Sequence, residues 1–555
     1  MTSLSSKTTW ANRALWLLPV LLCVLAAWRT LAVPDEGRYA EVARWMLWSG
    51  DWLTARLDGI PFFHKPPLLY WLEALSFQVF GITPWAARLV VMVHACLMWG
   101  LMMVCVRHIA GPDTARRAGW MLGSSLAFLI GGQYVNHDMM VATWMGVAIW
   151  CFARAFMHAS DDHSPAPAQW WARAGFFACA MGVLSKGLIG LLLPGLVLVL
   201  WIGWTRQWKK ILHLPWFSGV LLFALIALPW FVLAERQHPG MLDYMFGKHQ
   251  FGRFHANTFN NARPAWFYLL AIVVLFFPWV FFTVIDAGQR LRQAWLDRTG
   301  RQRNLSHSPE ASWVALCWIW VVAILGFFSI PNSKLIGYAL PVMPPLAVLA
   351  AWGWQGFWRH RRGERWAFGV LLAVAVGMAV FANSAASRYS QQQSSADVAQ
   401  VLACEWRAGD VVAVAGDFPY DLPFHAQLTQ PMEVLQDWDK ERQTAGDNWR
   451  RELFEGAAFE PNQQILMPLS RLSELQHLPH AWLVAPTAHP TQEAAPAPGF
   501  ALVHKGRAWT LWRGAGVGAR SLGDGANRVG AAKRPEAAEH KGLAGCKHQG
   551  KEQGP

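Results

Sequence analysis

The sequence predicts a polytopic α-helical membrane protein that carries a small α/β domain outside the bilayer near its C-terminal end. Three observations support this. Charged residues are 15% of the 555-residue chain and apolar residues 54%, against about 25% charged in a typical soluble domain; the mean hydropathy is +0.21. Apolar stretches approaching the ~20 residues needed to cross a bilayer recur from the start of the chain to residue 385. Beyond that point short apolar runs alternate with polar ones, as strands and helices do in a water-soluble fold. The 35 Trp and 31 Phe fit the same picture, because amphipathic indole rings favour the membrane–water interface. A disordered chain, a disulfide-stapled mini-protein and a soluble nucleic-acid binder are excluded by these figures. Six of the eight cysteines lie in or beside apolar stretches and no CxxC spacing occurs, which argues against structural zinc.

Eleven spans are expected, at roughly 12–32, 85–106, 118–132, 139–157, 171–185, 187–204, 215–234, 265–285, 312–330, 335–356 and 366–385. The first reads as a retained anchor, since further spans follow it. Orientation follows from Lys and Arg in the short loops. With the N-terminus cytoplasmic, the inner loops hold Arg107, Arg116 and Arg117; Arg154 and Arg173; Arg206, Lys209 and Lys210; Arg290, Arg292, Arg298, Arg301 and Arg303; and Arg359, Arg361, Arg362 and Arg365. The net charge of +13 is then mostly a topological signal rather than a nucleic-acid surface. An odd number of spans puts the C-terminus outside.

The expected organisation is a transmembrane domain over 1–385, an α/β domain over 386–513 and a disordered, glycine-rich tail over 514–555. In the second domain Asp410–Phe418, Ile465–Pro468, Ala481–Pro486 and Ala508–Trp512 read as strands, and 396–406 and 432–457 as helices. The first outer loop, 33–84, is too long for a hairpin. Apolar residues at 39, 42, 43, 46 and 47 have helical spacing, with Asp35 as a plausible N-cap and Gly50 as a stop. A helix lying on the outer membrane face fits.

That loop also holds the densest polar cluster: Asp35, Glu36, Arg38, Glu41 and Arg44, then His64 and Lys65. Asp35 and Glu36 could simply compensate a helix dipole, worth about 1 kcal/mol, and Lys65 could be an interfacial anchor. Asp138 lies at the outer end of a span, where a carboxylate is costly unless paired or solvated. Lys186 and Lys334 are further outer-face lysines; for Lys186 a helix-end anchor is the favoured reading. Residues 248–255, Lys-His-Gln-Phe-Gly-Arg-Phe-His, interleave basic and aromatic groups. No nucleotide-binding loop, HExxH or GxSxG motif carries weight. Outer carboxylates beside outer cations suit transfer from a lipid-linked phosphate donor. Cations stabilise the departing phosphate, carboxylates orient or deprotonate the acceptor, and aromatics hold lipid and sugar.

The ordered motifs Asp35-Glu36-Gly37-Arg38-Tyr39-Ala40-Glu41, Met46–Trp52 and Phe63-His64-Lys65-Pro66-Pro67-Leu68-Leu69-Tyr70-Trp71, followed by Asp138, Ser185-Lys186-Gly187, His249–Phe254 and Lys334–Pro341, resemble the bacterial aminoarabinose transferases (ArnT), relatives of the protein O-mannosyltransferases. The resemblance covers roughly 12–385 and implies the membrane-embedded glycosyltransferase fold GT-C, with a few more spans than eleven. It implies an inverting enzyme of the bacterial inner membrane that moves 4-amino-4-deoxy-L-arabinose, or a related amino sugar, from undecaprenyl phosphate to lipid A phosphate at the periplasmic face. Transfer to protein hydroxyls or another envelope glycan, and transport of a lipid-linked sugar, are the alternatives. By the same resemblance Asp35, Glu36, Lys65 and Asp138 are candidate catalytic residues. Arg38, Tyr39, Arg253, Lys334 and Tyr338 are candidate donor-binding groups. The family has Glu where this chain has His64; with His249 it leaves a His–His pair as a candidate zinc site. A phosphate acceptor, already anionic with a second pKa of ~6, needs no general base. At least one site carboxylate is then expected to be neutralised by a partner such as Arg38, Lys65 or a metal.

Overall fold

A computed structural model of the chain describes residues 14–27, 29–158, 165–252, 261–298, 309–461, 464–487 and 499–516. The chain divides into a helical unit, Met1–Ser394 with Asp439–Gln464, and an α/β unit, Ser395–Trp438 with Ile465–Pro555. The helical unit thus includes a stretch that lies, in sequence, between two pieces of the other. The expected tail, from 517 onward, and Arg253 lie outside the described residues.

In the helical unit the first helix, Leu17–Ala27, leads to the outer-loop helices Asp35–Ser49 and Leu68–Phe80. Pro84–Gly123 is broken at Gly111, whose φ of 82° is not helical. Trp99 Nε1 donates to the Gly119 carbonyl at 2.7 Å. Along one straight helix those residues would stand about 30 Å apart, so the segment is a hairpin of two helices. The predicted span 118–132 is corrected here: it is the end of that hairpin, the short helix Leu126–Leu129 and a 3₁₀ turn at Gly131–Gln133. The break has a local cause. Ser125 turns its hydroxyl to the Phe128 N–H as an N-cap, and Ser124 back-bonds to the Trp120 carbonyl.

Next come His137–His158, Pro165–Lys186, Ile189–Thr205, Trp216–Gln237, the pair Phe267–Phe276 and Val280–Arg298, Pro309–Ser329, Met343–Trp358 and Glu364–Gln393. Among the described residues six helical segments are long and apolar enough to cross a membrane, and the pair bent by 116° after Phe276 adds a seventh. Leu17–Ala27 and Ile189–Thr205 are shorter apolar helices. The chain is a multi-pass membrane protein. His137–Met157 and Ile336–Trp358 are largely buried inside the bundle, whereas Trp216–Gln237 and Glu364–Gln393 leave most of their apolar surface exposed, as lipid-facing spans do.

The helix Asp35–Ser49 ends as read from the sequence, with Gly50 left-handed and its N–H on the Met46 carbonyl. Asp35 is not the cap: Pro34 holds that position and Asp35 is the first helical residue. Between the two outer-loop helices the strands β1 (Arg56–Leu57) and β2 (Ile60–Pro61) pair antiparallel. Their two-residue turn, Asp58-Gly59, has both φ angles positive, the tight-hairpin signature.

The α/β unit has a six-stranded sheet in the order β5-β4-β3-β6-β8-β7: β3 Val411–Ala415, β4 Glu433–Leu435, β5 Leu466–Met467, β6 Ala481–Pro486, β7 Phe500–Lys505 and β8 Trp509–Gly514. Strands β3 to β6 pair parallel, and β8 joins β6 and β7 antiparallel. Ala413, Leu435, Leu475, Ala481, Leu483 and Phe500 form its core. The expected helix over 432–457 is instead β4 followed by the helices Trp438–Thr444 and Trp449–Ala457, and β7 was not anticipated.

Candidate active site

The helix Asp35–Ser49 carries charge on both of its faces. On the inner face Glu36 is fully buried between Arg88 (2.8 Å) and Arg29 (2.9 Å), and it also accepts the backbone N–H groups of Ala32 and Val135. Burial alone would raise its pKa; the Arg88 and Arg29 guanidiniums outweigh that and hold it at about 2. Both oxygens are thereby occupied, and Glu36 anchors the helix rather than facing a substrate. Glu41 and Arg44 form a second buried pair, bidentate at 2.7 Å.

The outer face presents Asp35, whose side chain is 41% exposed, and Arg38. Arg38 lies 3.6 Å from Asp35 and pairs closely with Glu452, from the helix Trp449–Ala457. Tyr134 donates its hydroxyl to Asp35 at 3.2 Å. Tyr39 stacks edge-on against His137, ring centres 4.8 Å apart, and lies 6.3 Å from Tyr70. These contacts hold residues 134–138 against the helix that bears Asp35.

Asp138, buried at the start of the helix His137–His158, is ion-paired with Lys186 and accepts the Asn136 side-chain amide at 3.1 Å. The Lys186 ammonium sits 4.5 Å from the centre of the Tyr338 ring, a cation–π contact. Gly337 makes room for this group, since a Cβ there would meet the Asp138 carboxylate at 2.1 Å. Of the two carboxylates, Asp138 is thus paired with Lys186, a partner not named from the sequence, and Asp35 lies 3.6 Å from Arg38, one of those expected.

Lys65 is half-buried beside the Pro66-Pro67 turn that opens the helix Leu68–Phe80. Its neighbour His64 lies 2.8 Å from the Tyr244 hydroxyl, 3.3 Å from Glu452 and 4.2 Å, ring to ring, from His249. Burial lowers the His64 pKa; Glu452 works against this and the Lys65 and Arg38 charges with it, so the imidazole is neutral near pH 7. Lys248 and Arg451 both pair with Glu455 at 2.6 Å, and His249 stands 4.0 Å from that carboxylate. Lys334 is buried and donates to the carbonyls of Arg263 and Pro331, which makes it a clasp for the loop beside Tyr338. Burial lowers its pKa.

The carboxylates nearest the His64–His249 pair are Glu452, beside His64, and Glu455, beside His249. Among the described residues no group of three or more His, Cys, Asp or Glu side chains is arranged to hold a metal. The His64 and His249 rings lie face over face with a 32° tilt, and both nitrogens of His64 are turned to protein groups.

Residues 14–245 match the family model of the dolichyl-phosphate-mannose-protein mannosyltransferases. The undecaprenyl phosphate-alpha-4-amino-4-deoxy-L-arabinose arabinosyl transferase of Pseudomonas paraeruginosa is 32% identical over 322 residues, 58% of this chain and 55% of that protein. Its namesake from Shewanella sediminis is 33% identical over 347 residues, 61% and 57%. These matches span little more than half the length of the curated relatives. The crystal structure of ArnT from Cupriavidus metallidurans bound to undecaprenyl phosphate superimposes with a TM-score of 0.74 at 25% identity, over 92% of this chain and 99% of that one. Its apo form gives 0.72 at 24%. The resemblance holds in sequence and in fold. The architecture is GT-C.

Glu452, Glu455 and Glu460 were not singled out from the sequence, and Lys186 was read there as a helix-end anchor. Lys186 resembles any lysine at a helix end until its Asp138 partner is placed beside it. Glu452 and Glu460 lie some 400 positions from Arg38 and Arg56, and Glu455 lies 207 from Lys248; the helical spacing of Glu452 and Glu455 on one face is the one local signal.

Proposed function

We propose that this protein is a glycosyltransferase of the bacterial inner membrane that moves an amino sugar of the aminoarabinose type from undecaprenyl phosphate to a phosphate of lipid A, with its site at the periplasmic face. The observation that carries the proposal is the Asp138–Lys186 pair beside Tyr338, in a GT-C bundle that superimposes on an undecaprenyl phosphate-bound relative. An anionic acceptor needs no proton removed, and a bare carboxylate facing it would repel it. Here Asp138 is paired with Lys186 and Asp35 lies near Arg38, so both cations are oriented without leaving uncompensated negative charge. In the transfer, an acceptor phosphate oxygen attacks the anomeric carbon, a new C–O bond forms, and the old bond breaks with its electron pair going to undecaprenyl phosphate. Arg38 and Lys65 are assigned to the departing phosphate, Tyr39 and Tyr338 to the sugar. A hydroxyl acceptor would instead require a carboxylate available as general base.

The test is transfer by purified protein from undecaprenyl-linked aminoarabinose to lipid A. Removing the Lys65 charge should cost ~10²–10³ in rate, as losing an oxyanion-hole donor does; a Lys65→Ala enzyme with near-normal transfer would return Lys65 to a membrane anchor. Reporter fusions after residues 60 and 390 should read periplasmic and one near 295 cytoplasmic, and the opposite pattern would remove the site from its donor.

A further inference from the structure

The helix Trp449–Ala457 lies in sequence between β4 and β5 of the α/β sheet, yet it packs within the helical unit. It is seated firmly there. A Cβ on Gly456 would meet the Pro61 carbonyl at 2.5 Å, so glycine permits contact with the β1–β2 hairpin. Phe459 packs edge-on to Phe63, with ring centres 5.2 Å apart, and Glu460 holds Arg56 bidentately at 2.7 and 2.8 Å. One turn before Gly456, Glu452 is directed at Arg38 and His64, with only 8% of its side chain exposed.

That arrangement poses an electrostatic problem for an anionic donor. Arg38 already faces two carboxylates, Asp35 and Glu452, and a phosphate reaching it would bring further negative charge into a poorly hydrated space. Asp35 cannot easily leave, because it stands one turn away on the same helix and accepts the Tyr134 hydroxyl. Glu452 comes from a separate element, so it can turn away from Arg38, towards His64, without moving the helix Asp35–Ser49. Once displaced it remains a nearly buried carboxylate in need of a cation. Resting on the donor assignment above, we infer that Glu452 occupies the phosphate place on Arg38 in the donor-free protein, and that an amino-sugar donor inserts into this ion pair: its phosphate takes Arg38 and its ammonium takes Glu452. Glu452 is then a specificity residue for cationic sugars, supplied by a segment outside the transmembrane sequence.

Full-length protein in detergent allows the test, with three probes: undecaprenyl phosphate alone, the amino-sugar donor, and the same donor with its amine acetylated. Glu452→Gln removes the competitor, so undecaprenyl phosphate should bind about fivefold more tightly, the worth of a partly buried ion pair. The same variant should lose about tenfold or more of the preference in kcat/KM for the free amine over the acetylated donor, the worth of a hydrogen bond to a charged group. A merely structural Glu452 would weaken binding and leave the preference unchanged. Glu460→Gln, which weakens the Arg56 pair while the Gly456 and Phe459 contacts keep the segment seated and Glu452 on Arg38, should shift neither readout. Should Glu452→Gln fail to fold, Glu452→Asp withdraws the carboxylate by one methylene and should move both readouts the same way by less. Equal or weaker undecaprenyl phosphate binding, or an unchanged donor preference, overturns the inference. Wild-type protein that does not bind undecaprenyl phosphate at all would instead overturn the donor assignment.

Discussion

The inner face of the helix Asp35–Ser49 and its outer face both use carboxylates, and they use them in opposite ways. Inside, Glu36 is sealed between two guanidiniums and two backbone N–H groups, which fill its acceptor positions and keep it charged. A short distance along the chain Glu73 is equally buried, but neither of its oxygens has a hydrogen-bond partner among the described residues. Burial, with a smaller push from Glu36, raises its pKa well above the usual carboxylate range, which favours the neutral acid. On the outer face Asp35 lies near Arg38, and on the neighbouring helix the buried Asp138 is paired with Lys186. Adjacent residues of one motif, Asp35-Glu36, thus differ in how many partners the fold supplies: Glu36 is fully paired and buried, whereas Asp35 keeps an exposed carboxylate.

The largest effect expected from this contrast is on stability. Glu36→Gln leaves two buried guanidiniums short of their counter-charge and should cost about 3–5 kcal/mol, whereas Glu73→Gln, replacing a neutral acid by a neutral amide, should leave thermal unfolding in detergent almost unchanged. Equal losses from the two would erase the distinction. Next in size, Asp138→Asn and Lys186→Met should each lower transfer by ~10²–10³ while unfolding near the wild-type temperature; a matching loss of stability would move that pair to the architectural side. Acid gives a smaller, graded effect. The Glu36 pKa is depressed, so its contribution is fully present above the unfolded-state value of about 4.5 and is lost as the pH falls towards about 2. Unfolding temperatures should decline across that window in wild type, and less steeply in Glu36→Gln. The smallest change is expected of Glu460→Gln, which breaks a partly exposed pair with Arg56 and should cost about 1 kcal/mol or less.

Much of the helical unit is legible from hydropathy, because a bilayer imposes length and apolarity on each span. The span predicted at 118–132 is broken because hydropathy cannot detect the side-chain capping by Ser124 and Ser125 that ends a helix, and those predicted at 12–32 and 187–204 correspond to the shorter apolar helices Leu17–Ala27 and Ile189–Thr205. The Asp35–Tyr39 and Lys65 cluster is legible because it is contiguous and polar in an apolar chain. The separate duties of Asp35 and Glu36 were not, since Arg29 and Arg88 become partners of Glu36 only through tertiary packing. Lys186 likewise needed the fold to bring it to Asp138, across 48 positions. The segment 439–464 was hidden for a further reason. Its local pattern of helices between strands is what any α/β domain shows, and nothing local records that it packs elsewhere.

The most direct measurement is mass spectrometry of lipid A from otherwise identical bacterial cells with and without this chain, supplied with the undecaprenyl-linked amino sugar. The account predicts an added aminopentose on a lipid A phosphate in cells carrying the wild-type chain, and its loss in cells carrying the Asp138→Asn variant. Lipid A that is identical with and without the chain, or a sugar found on a hydroxyl instead of a phosphate, would contradict it.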